Sequence, residues 1–285
     1  EPSLVPALYL IATPIGNLGD LSERAVDSIR GADRLYAEDT RHSRKLLNHL
    51  GIERSLLPCH EHNEQAHVGE ICHLIESGLS CGLLCDAGTP GISDPGFCLV
   101  RECRRRQLPV VPIPGPTALI AALSASGLPT DAFRFVGFLA PKKSARIRFL
   151  TENRQARETL VLYESTHRIQ KFLTDAEAVL GPERVVCLAR ELTKLHEEFW
   201  RGTLEAAVEY YAERDPKGEL TLIVAGARRE SPPPSEEALR SELQHLLKQG
   251  LSRSQASRQL AQKTALPRRQ IYQLALTLAD EPPTM

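Results

Sequence analysis

Short apolar runs alternate along the chain with segments in which apolar residues recur every three or four positions. Runs of this length, bounded by glycine, proline or polar residues, are typical of buried strands, and the intervening spacing is typical of amphipathic helices. In the first half of the chain, strands are predicted at residues 7–12, 33–38, 56–59, 80–85 and 109–113. This alternation predicts successive βα units in a parallel sheet, with the loops that follow the strands at one edge.

The pattern changes near residues 128–130. Further strands are predicted at residues 133–139, 159–163, 184–189, 196–201 and 219–225, and the run at 196–201 is expected to pair antiparallel with the strand before it. These runs indicate a second α/β domain with a mixed sheet. A proline-rich linker at residues 230–235 then leads to three short helices at 236–249, 252–263 and 267–278. We therefore divide the chain into domains at residues 1–128, 129–229 and 236–285.

Composition narrows the class of protein. A hydrophobic content of 42% with 25% charged residues is ordinary for a soluble globular protein, and no apolar run approaches the roughly 20 residues needed to cross a bilayer. The first residues do not resemble a secretory signal peptide, and the seven cysteines include no CxxC pair. We therefore expect a cytoplasmic protein with reduced, mostly buried thiols and no metal.

The net charge of −1 argues against extensive coating of nucleic acid but permits a local basic face. Such a face is predicted in the C-terminal helices. Between residues 238 and 279 there are seven lysine or arginine residues and one acid, Glu242. The spacing of the last two helices is typical of a helix-turn-helix, and the basic excess favours contact with phosphates. The alternative is a solvated helical bundle.

The loop after the fourth predicted strand is the first candidate site. It begins with Asp86 and contains three glycines and two prolines within residues 88–96, which the interior of a helix or strand would not tolerate. Asp94 followed by Pro95 predicts the N-cap and the first residue of the next helix. Open α/β sheets bind ligands at such strand–loop–helix junctions, although a tight turn without a ligand is the alternative.

Two other strand ends carry polar clusters, Glu-Asp-Thr-Arg-His at residues 38–42 and His-Glu-His-Asn-Glu at residues 60–64. Both suit a polar site, and a solvated loop with a helix cap is the alternative for the first. His60 and His62 lack a third convergent ligand, which argues against a metal site. The loop at residues 13–20 has Pro14 where a dinucleotide-binding fingerprint requires glycine, which argues against a Rossmann dehydrogenase.

These motifs occur together, and in the same order, in one known family. They are Thr-Pro-Ile-Gly-Asn-Leu at 13–18, Ala-Glu-Asp-Thr-Arg at 37–41, Asp-Ala-Gly-Thr-Pro at 86–90, Ser-Asp-Pro-Gly at 93–96, Pro-Gly-Pro at 114–116, Tyr-Glu-Ser at 163–165 and Ala-Arg-Glu-Leu-Thr-Lys at 189–194. From residue 8 to about residue 225, the chain resembles the small-subunit 16S rRNA (cytidine-2′-O)-methyltransferases of the tetrapyrrole methylase, or class III, superfamily.

The resemblance implies two α/β domains of the tetrapyrrole-methylase type with S-adenosylmethionine bound in the cleft between them, a homodimer, and a substrate in the decoding region of the small ribosomal subunit. The first loop is poorer in glycine than that of porphyrin-acting members, which counts against a tetrapyrrole substrate. The implied cofactor-binding residues are Pro14, Ile15, Asp86, Ala87, Gly88, Ile92, Thr117, Ala118, Glu164 and Glu191.

A ribose 2′-hydroxyl is a poor nucleophile, so the enzyme must align it with the methyl group and help it lose its proton. Our hypothesis assigns this role to Asp39, His42, Glu61 or His62, without ranking them. Phosphate contacts are expected from two groups of basic residues. The group at strand ends is Arg41, Arg168 and Lys194. The group outside the cofactor loops is Lys142, Lys143, Arg146, Arg148, Arg253, Arg268 and Arg269.

Two other functions stay open on the sequence alone. A methyltransferase of the same fold acting on a small molecule or a protein would not need the basic C-terminal helices or the basic segment at residues 141–148. A non-catalytic regulator that binds nucleic acid would use those helices but would not need a cleft lined by polar strand-end loops.

Overall fold

The computed structural model describes residues 4–93, 95–228, 234–264 and 266–278. The chain divides into two compact units, Glu1–Ala227 and Arg228–Met285. The first unit contains two five-stranded sheets, and the described part of the second contains three helices.

The first sheet is parallel throughout, with the strand order β3-β2-β4-β1-β5. Its strands are β1 (Leu8–Ile11), β2 (Arg34–Ala37), β3 (Leu57–Pro58), β4 (Cys81–Leu84) and β5 (Val110–Ile113). The helices that follow them in turn are α1 (Glu23–Gly31), α2 (Thr40–His49), α3 (Glu64–Glu76), α4 (Phe97–Arg105) and α5 (Ala118–Ser126). The predicted βα alternation is confirmed, and the carboxyl ends of all strands meet at one edge.

Helices cover both faces of this sheet. α1 and α2 pack on one face through Ile29 and Leu47, whereas α3 and α4 pack on the other through Ile71 and Leu99. The loops that follow the adjacent strands β1 and β4 therefore lead to opposite faces and leave a crevice between them. A crevice of this kind is the usual ligand site of an open α/β sheet.

The second sheet is mixed, with the order β6-β7-β10-β8-β9. Its strands are β6 (Phe133–Phe138), β7 (Thr159–Ser165), β8 (Val185–Arg190), β9 (Glu198–Thr203) and β10 (Glu219–Val224). β6 and β7 are parallel, and the other pairs are antiparallel, including the predicted β8–β9 pair. The helices of this half are α6 (Lys143–Glu152), α7 (Ile169–Leu180) and α8 (Leu204–Tyr211).

α5 connects the two halves of the first unit. Its buried residues Leu119 and Ala122 pack against Val161, Cys187 and Ile223 of the second sheet, while α6, α7 and α8 pack on the opposite face around Phe172. The small side chains of α5 allow this close approach of helix and sheet. The predicted mixed α/β fold is confirmed.

One predicted helix start is wrong. The helix after the glycine-rich loop begins at Phe97, with Gly96 as its N-cap, rather than at Pro95. Gly96 has φ +133°, which is not helical, and Gly91 N donates a hydrogen bond to Pro95 O at 3.0 Å, so both residues belong to the loop. The buried carboxylate of Glu64 replaces the predicted cap, because its Oε1 accepts from Gly96 N at 3.2 Å and Leu99 N at 2.9 Å. Asp94 lies outside the described residues.

The second unit forms its own core. Its described part consists of α9 (Glu236–Lys248), α10 (Arg253–Thr264) and α11 (Arg268–Leu276), as predicted. Leu243, Leu260 and Ile271 are buried between them. Most of the predicted proline-rich linker lies outside the described residues.

Six of the seven cysteines are buried, as expected. In the part of the chain that the structure describes, no helix is long and apolar enough to span a membrane.

Candidate functional site

A cavity of about 400 Å³ lies where the carboxyl edge of the first sheet meets the second sheet. Residues from both halves of the first unit line it. The first half contributes Ile15, Glu38, Asp86, Ala87, Gly88, Thr89, Ile92, Ser93, Thr117 and Ala118, and the second contributes Phe138, Tyr163, Glu164, Ser165, Thr166, Leu192 and the segment 218–221.

The loops after β1 and β4 are joined by a short backbone bridge. Thr13 N donates to Gly88 O at 2.9 Å, Gly88 N donates to Thr13 O at 3.0 Å, and Thr13 Oγ1 donates to Cys85 O at 3.2 Å. Gly88 has φ +91°, a conformation that side chains with a Cβ rarely adopt. The bridge therefore requires glycine at this position and holds it at the wall of the cavity.

Asp86 and the end of β2 hold each other in place. Asp86 Oδ1 accepts from Asp39 N at 3.1 Å, and Glu38 Oε2 accepts from Asp86 N at 3.4 Å. Because each carboxylate accepts from the other loop's backbone, the relative position of these two strand ends is set by reciprocal hydrogen bonds. Glu38 thereby reaches the cavity, whereas its neighbour Asp39 caps α2 by accepting from Arg41 N at 2.9 Å.

The second sheet contributes buried polar groups at the end of β7. Glu164 is 5% exposed, and its Oε1 accepts from Ser165 N at 2.7 Å and lies 3.9 Å from Arg168 Nε. Tyr163 Oη accepts from Leu119 N at 3.2 Å, near the start of α5. Ser165 Oγ is buried and has no hydrogen-bond partner among the described residues. A buried hydroxyl without a partner at a cavity wall indicates a place for a polar ligand atom.

The loop after β8 contacts Gly218 and Glu219, two of the residues that line the cavity. Glu191 and Thr193 have φ +52° and +68°, in the left-handed region. Glu191 Oε1 accepts from Glu219 N at 3.0 Å and from Lys194 Nζ at 3.1 Å. Although burial opposes it, these hydrogen bonds lower the pKa of the Glu191 carboxyl. The carboxylate therefore stays charged and holds the segment that lines the cavity.

A close contact also joins the glycine-rich loop to the second sheet. Ser93, with φ +55°, lies against the bulge in β6, where a Cβ built on Gly137 would be 2.7 Å from Ser93 Oγ. Gly137 itself has φ +64°. The loop can approach the second sheet this closely only because position 137 is glycine.

Comparison with known proteins places the chain in a family. The family model for Tetrapyrrole (Corrin/Porphyrin) Methylases matches residues 7–208. A protein of Synechocystis sp. named ribosomal RNA small subunit methyltransferase I is 53% identical over 95% of this chain and 98% of its own. The chain belongs to the ribosomal RNA small subunit methyltransferase I family. Another family member, from Xylella fastidiosa, is 47% identical over 93% of this chain and 97% of its own.

A solved structure of diphthine synthase has the same fold as this chain. It is 15% identical, covers 77% of this chain and 90% of its own, and has a TM-score of 0.60.

Methyltransferases of this family use S-adenosylmethionine, and this is the cofactor of the protein. The residues of the cavity fit it. The volume lies within the range of roughly 300–1,000 Å³ that is common for small-molecule sites, and the lining combines apolar side chains with carboxylates and the unpartnered Ser165 hydroxyl. Ile15, Ile92 and Leu192 supply apolar surface to the lining, and Asp86 and Glu164 supply carboxylates.

Of the ten residues predicted to bind the cofactor, eight line the cavity: Ile15, Asp86, Ala87, Gly88, Ile92, Thr117, Ala118 and Glu164. Pro14 lies in a neighbouring groove, and Glu191 supports residues 218 and 219 from behind. Sequence reasoning missed Glu38, Ser165 and the start of β10. Glu38 and Ser165 belong to motifs that had been recognised, whereas nothing in the sequence near residue 218 signals a site.

The four predicted catalytic residues lie outside the lining of this cavity. Asp39 is paired with Arg41 at 3.4 Å, and the hydrogen bond from Arg41 N lowers the pKa of its carboxyl. His42 lines the neighbouring groove. Glu61 and His62 are exposed in the turn before α3. In the described part of the chain, no group of three or more histidine, cysteine, aspartate or glutamate side chains could hold a metal ion.

The predicted phosphate contacts differ in their exposure. Arg146 is buried, and its guanidinium binds Asp175 at 2.6 Å, so the expectation that it faces a nucleic acid is wrong. Lys142 and Lys143 at the start of α6 are exposed. Arg41 is 91% exposed, whereas Arg168 and Lys194 are partly buried beside Glu164 and Glu191. In the second unit, Arg268 and Arg269 are exposed and Arg253 is partly buried.

Proposed function

We propose that the protein transfers a methyl group from S-adenosylmethionine to the 2′-oxygen of a cytidine ribose in the decoding region of 16S rRNA. The observation that carries the proposal is the 53% identity, over 95% of this chain, to a relative named for methylation of small-subunit rRNA. The cytidine and its 2′-oxygen come from the motif resemblance. The cavity supports the cofactor half of the reaction, because it brings together eight of the ten residues expected from that resemblance.

S-adenosylmethionine supplies a methyl group already activated on a sulfonium. The protein must then orient the ribose hydroxyl and accept its proton. Glu38, Asp39, His42, Glu61 and His62 are the candidates, and we favour Glu38 because it is the one of these five that lines the cavity. Its carboxylate is held at the end of β2 through Asp86 N, which provides the positioning that proton transfer requires.

The substrate we propose is an assembled or nearly assembled small ribosomal subunit. The basic residues proposed to contact it lie in both units, and several phosphate contacts make binding steeply dependent on salt. A 2′-hydroxyl must enter a cleft, which favours single-stranded or distorted RNA over a regular duplex. We further propose that the enzyme acts as a homodimer in the cytoplasm. The residues assigned to RNA are Arg41, Lys142, Lys143, Arg168, Lys194, Arg253, Arg268 and Arg269.

The test is methyl incorporation from labelled S-adenosylmethionine into purified small subunits, free 16S rRNA and a short oligonucleotide, followed by digestion to nucleosides and mass spectrometry. We expect 2′-O-methylcytidine, formed most efficiently on the subunit and mapped to the decoding region. Subunits from a strain lacking the enzyme serve as acceptors, and subunits already methylated by it serve as the control. Methylation of a base, or of tRNA alone, would contradict the proposal.

A further inference from the structure

A second cavity of about 230 Å³ lies beside the cofactor cavity. We call it the α2 groove. It is lined by Pro14 and Leu18 from the loop after β1, by Asp86, and by His42, Lys45 and His49 from α2. Asp86 lines both cavities, and the Thr13–Gly88 bridge contributes Thr13 to the groove and Gly88 to the cofactor cavity. The groove is therefore separated from the cofactor cavity by one backbone bridge.

The α2 side of the groove is rich in positive and protonatable groups. His42, Lys45 and His49 are three and four residues apart, a spacing that places them on one face of a helix. All three are exposed, and none has a side-chain hydrogen bond or ion pair to another described residue. The helix contains no acid, and its two arginines are engaged elsewhere, Arg41 with Asp39 and Arg44 with Arg54 O.

Asp86, the single acid among the described residues that line the groove, does not neutralise this face. Asp86 Oδ1 accepts from Asp39 N, so one of its two oxygens is committed to the loop. One lysine and two imidazoles line the groove together with Asp86. The resulting site suits a singly charged anion that offers several acceptor oxygens. The volume is below the range of about 300–1,000 Å³ typical of small-molecule sites, which indicates a group the size of a phosphodiester rather than a second cofactor.

We propose that the α2 groove binds a phosphodiester of the RNA strand next to the nucleotide that receives the methyl group. The inference rests on the proposed function for the identity of the strand. Lys45 provides the permanent positive charge, and His42 and His49 donate hydrogen bonds to the phosphate oxygens. His42 is thereby assigned to the strand rather than to the reacting hydroxyl. The groove sets the register in which the strand enters the cofactor cavity.

The experiment compares the full-length protein with Lys45→Ala and with the triple variant His42→Ala/Lys45→Ala/His49→Ala. The matched control is Arg104→Ala, an exposed cation at the end of α4, near the opposite edge of the sheet. Three quantities are measured for each: affinity for S-adenosylmethionine by calorimetry, KM and kcat with small subunits, and affinity for a labelled single-stranded RNA over a range of salt concentrations. Lys45→Arg, which keeps the charge, tests for rescue.

We expect cofactor affinity to be unchanged in all variants. Lys45→Ala is expected to raise KM by about tenfold with kcat little changed, because a charge-assisted hydrogen bond to the phosphate is lost. The log–log slope of RNA affinity against salt concentration should fall by about 0.7 for each phosphate that the variant no longer binds. Lys45→Arg should restore most of the affinity.

An unchanged KM and salt slope in the triple variant would overturn the inference, and so would an equal loss in Arg104→Ala. Failure of the proposed function gives a different result. In that case the wild-type protein methylates no rRNA, while the binding measurement with single-stranded RNA still decides whether the α2 groove holds a phosphate.

Discussion

Lys194 lies so close to Gly16 that a Cβ built on the glycine would be 2.5 Å from Lys194 Cγ and 3.0 Å from Thr193 Oγ1. Gly16 belongs to the loop after β1, and Lys194 to the loop after β8, so this contact joins the two halves of the first unit. Lys194 Nζ is in turn held by Glu191 at 3.1 Å and Glu219 at 3.3 Å. Ile15, next to Gly16, and Leu192, two residues before Lys194, line the cofactor cavity, which the contact therefore helps to close.

Gly16→Ala is expected to displace Lys194 and weaken binding of S-adenosylmethionine by about tenfold, because the side chain cannot move without losing its ion pairs. Calorimetry measures the affinity. Gly69→Ala on α3 is the control, since a Cβ there meets no atom within 4 Å in the part of the chain that the structure describes. A glycine-to-alanine change inside a helix stabilises by up to about 1 kcal/mol. Equal cofactor affinity in Gly16→Ala and the wild-type protein would show that this contact does not shape the cavity.

Gly88→Val is expected to abolish cofactor binding, because a branched side chain at this wall fills space that the cofactor needs. Gly91→Val separates this effect from backbone strain. Both glycines have positive φ, +91° and +84°, but a Cβ on Gly91 meets no atom of a described residue within 4 Å, and Gly91 does not line the cavity. Cofactor affinity and thermal unfolding are measured together. Equal losses of affinity in the two variants would assign the effect to strain in the loop.

Ser165→Ala is expected to lower cofactor affinity about fivefold, the effect of removing one hydrogen bond, without lowering the stability of the free protein. The reason is that Ser165 Oγ is buried with no partner in the described part of the chain, so its removal costs nothing until the cofactor binds. Ser257→Ala removes a similarly buried and unpartnered hydroxyl from α10. If the two variants bind the cofactor equally well, Ser165 does not contact it.

Glu38→Gln is expected to lower the single-turnover rate of methylation by about a hundredfold, the usual contribution of a general base, with cofactor affinity nearly unchanged. Asp39→Asn, His42→Ala, Glu61→Gln and His62→Ala are compared in the same assay. A normal rate in Glu38→Gln, combined with a large loss in one of the other four, would move the role to that residue. Glu38→Ala removes both the charge and the oxygen that accepts from Asp86 N. Comparing its rate with that of Glu38→Gln separates the effect of the charge from the effect of this hydrogen bond.

We expect the hydrogen bonds of Glu191 with Lys194 and Glu219 to make the stability of the protein fall in acid. Burial opposes ionisation of the Glu191 carboxyl, but hydrogen bonds from Glu219 N and Lys194 outweigh it and lower the pKa from its ordinary value of 4.5. A proton therefore binds more tightly to Glu191 in the unfolded chain than in the folded protein. The ionised carboxylate stabilises the fold above about pH 4.5, and this contribution is lost as pH falls through the lower pKa of the folded state. Thermal unfolding of Glu191→Gln should depend less on pH in this range than that of the wild-type protein. The exposed Glu183→Gln is the control, and identical pH profiles of Glu191→Gln and wild type would contradict the prediction.

Much of the fold and part of the site follow from local sequence signals. The strands are short apolar runs, and their bounds agree with prediction to within about two residues because each run is ended by nearby glycine, proline or polar residues. The loop at residues 86–96 could be recognised because its glycines and prolines exclude regular structure. A parallel sheet then requires that Asp86, Gly88, Thr117 and Ala118 lie at one edge, which is where the cavity is found.

Other features depend on contacts between residues that are far apart in sequence. α4 starts at Phe97 because Glu64, more than thirty residues earlier, supplies the cap. Arg146 is buried because Asp175, 29 residues later, neutralises it. Glu38 reaches the cavity, whereas Asp39 turns back to cap α2. Local sequence is enough to specify which segments are strands, helices and shaped loops, because adjacent residues control the backbone. Which charged side chain is buried, paired or exposed is set by the partner that the packed chain brings to it, and a partner distant in sequence leaves no local signal.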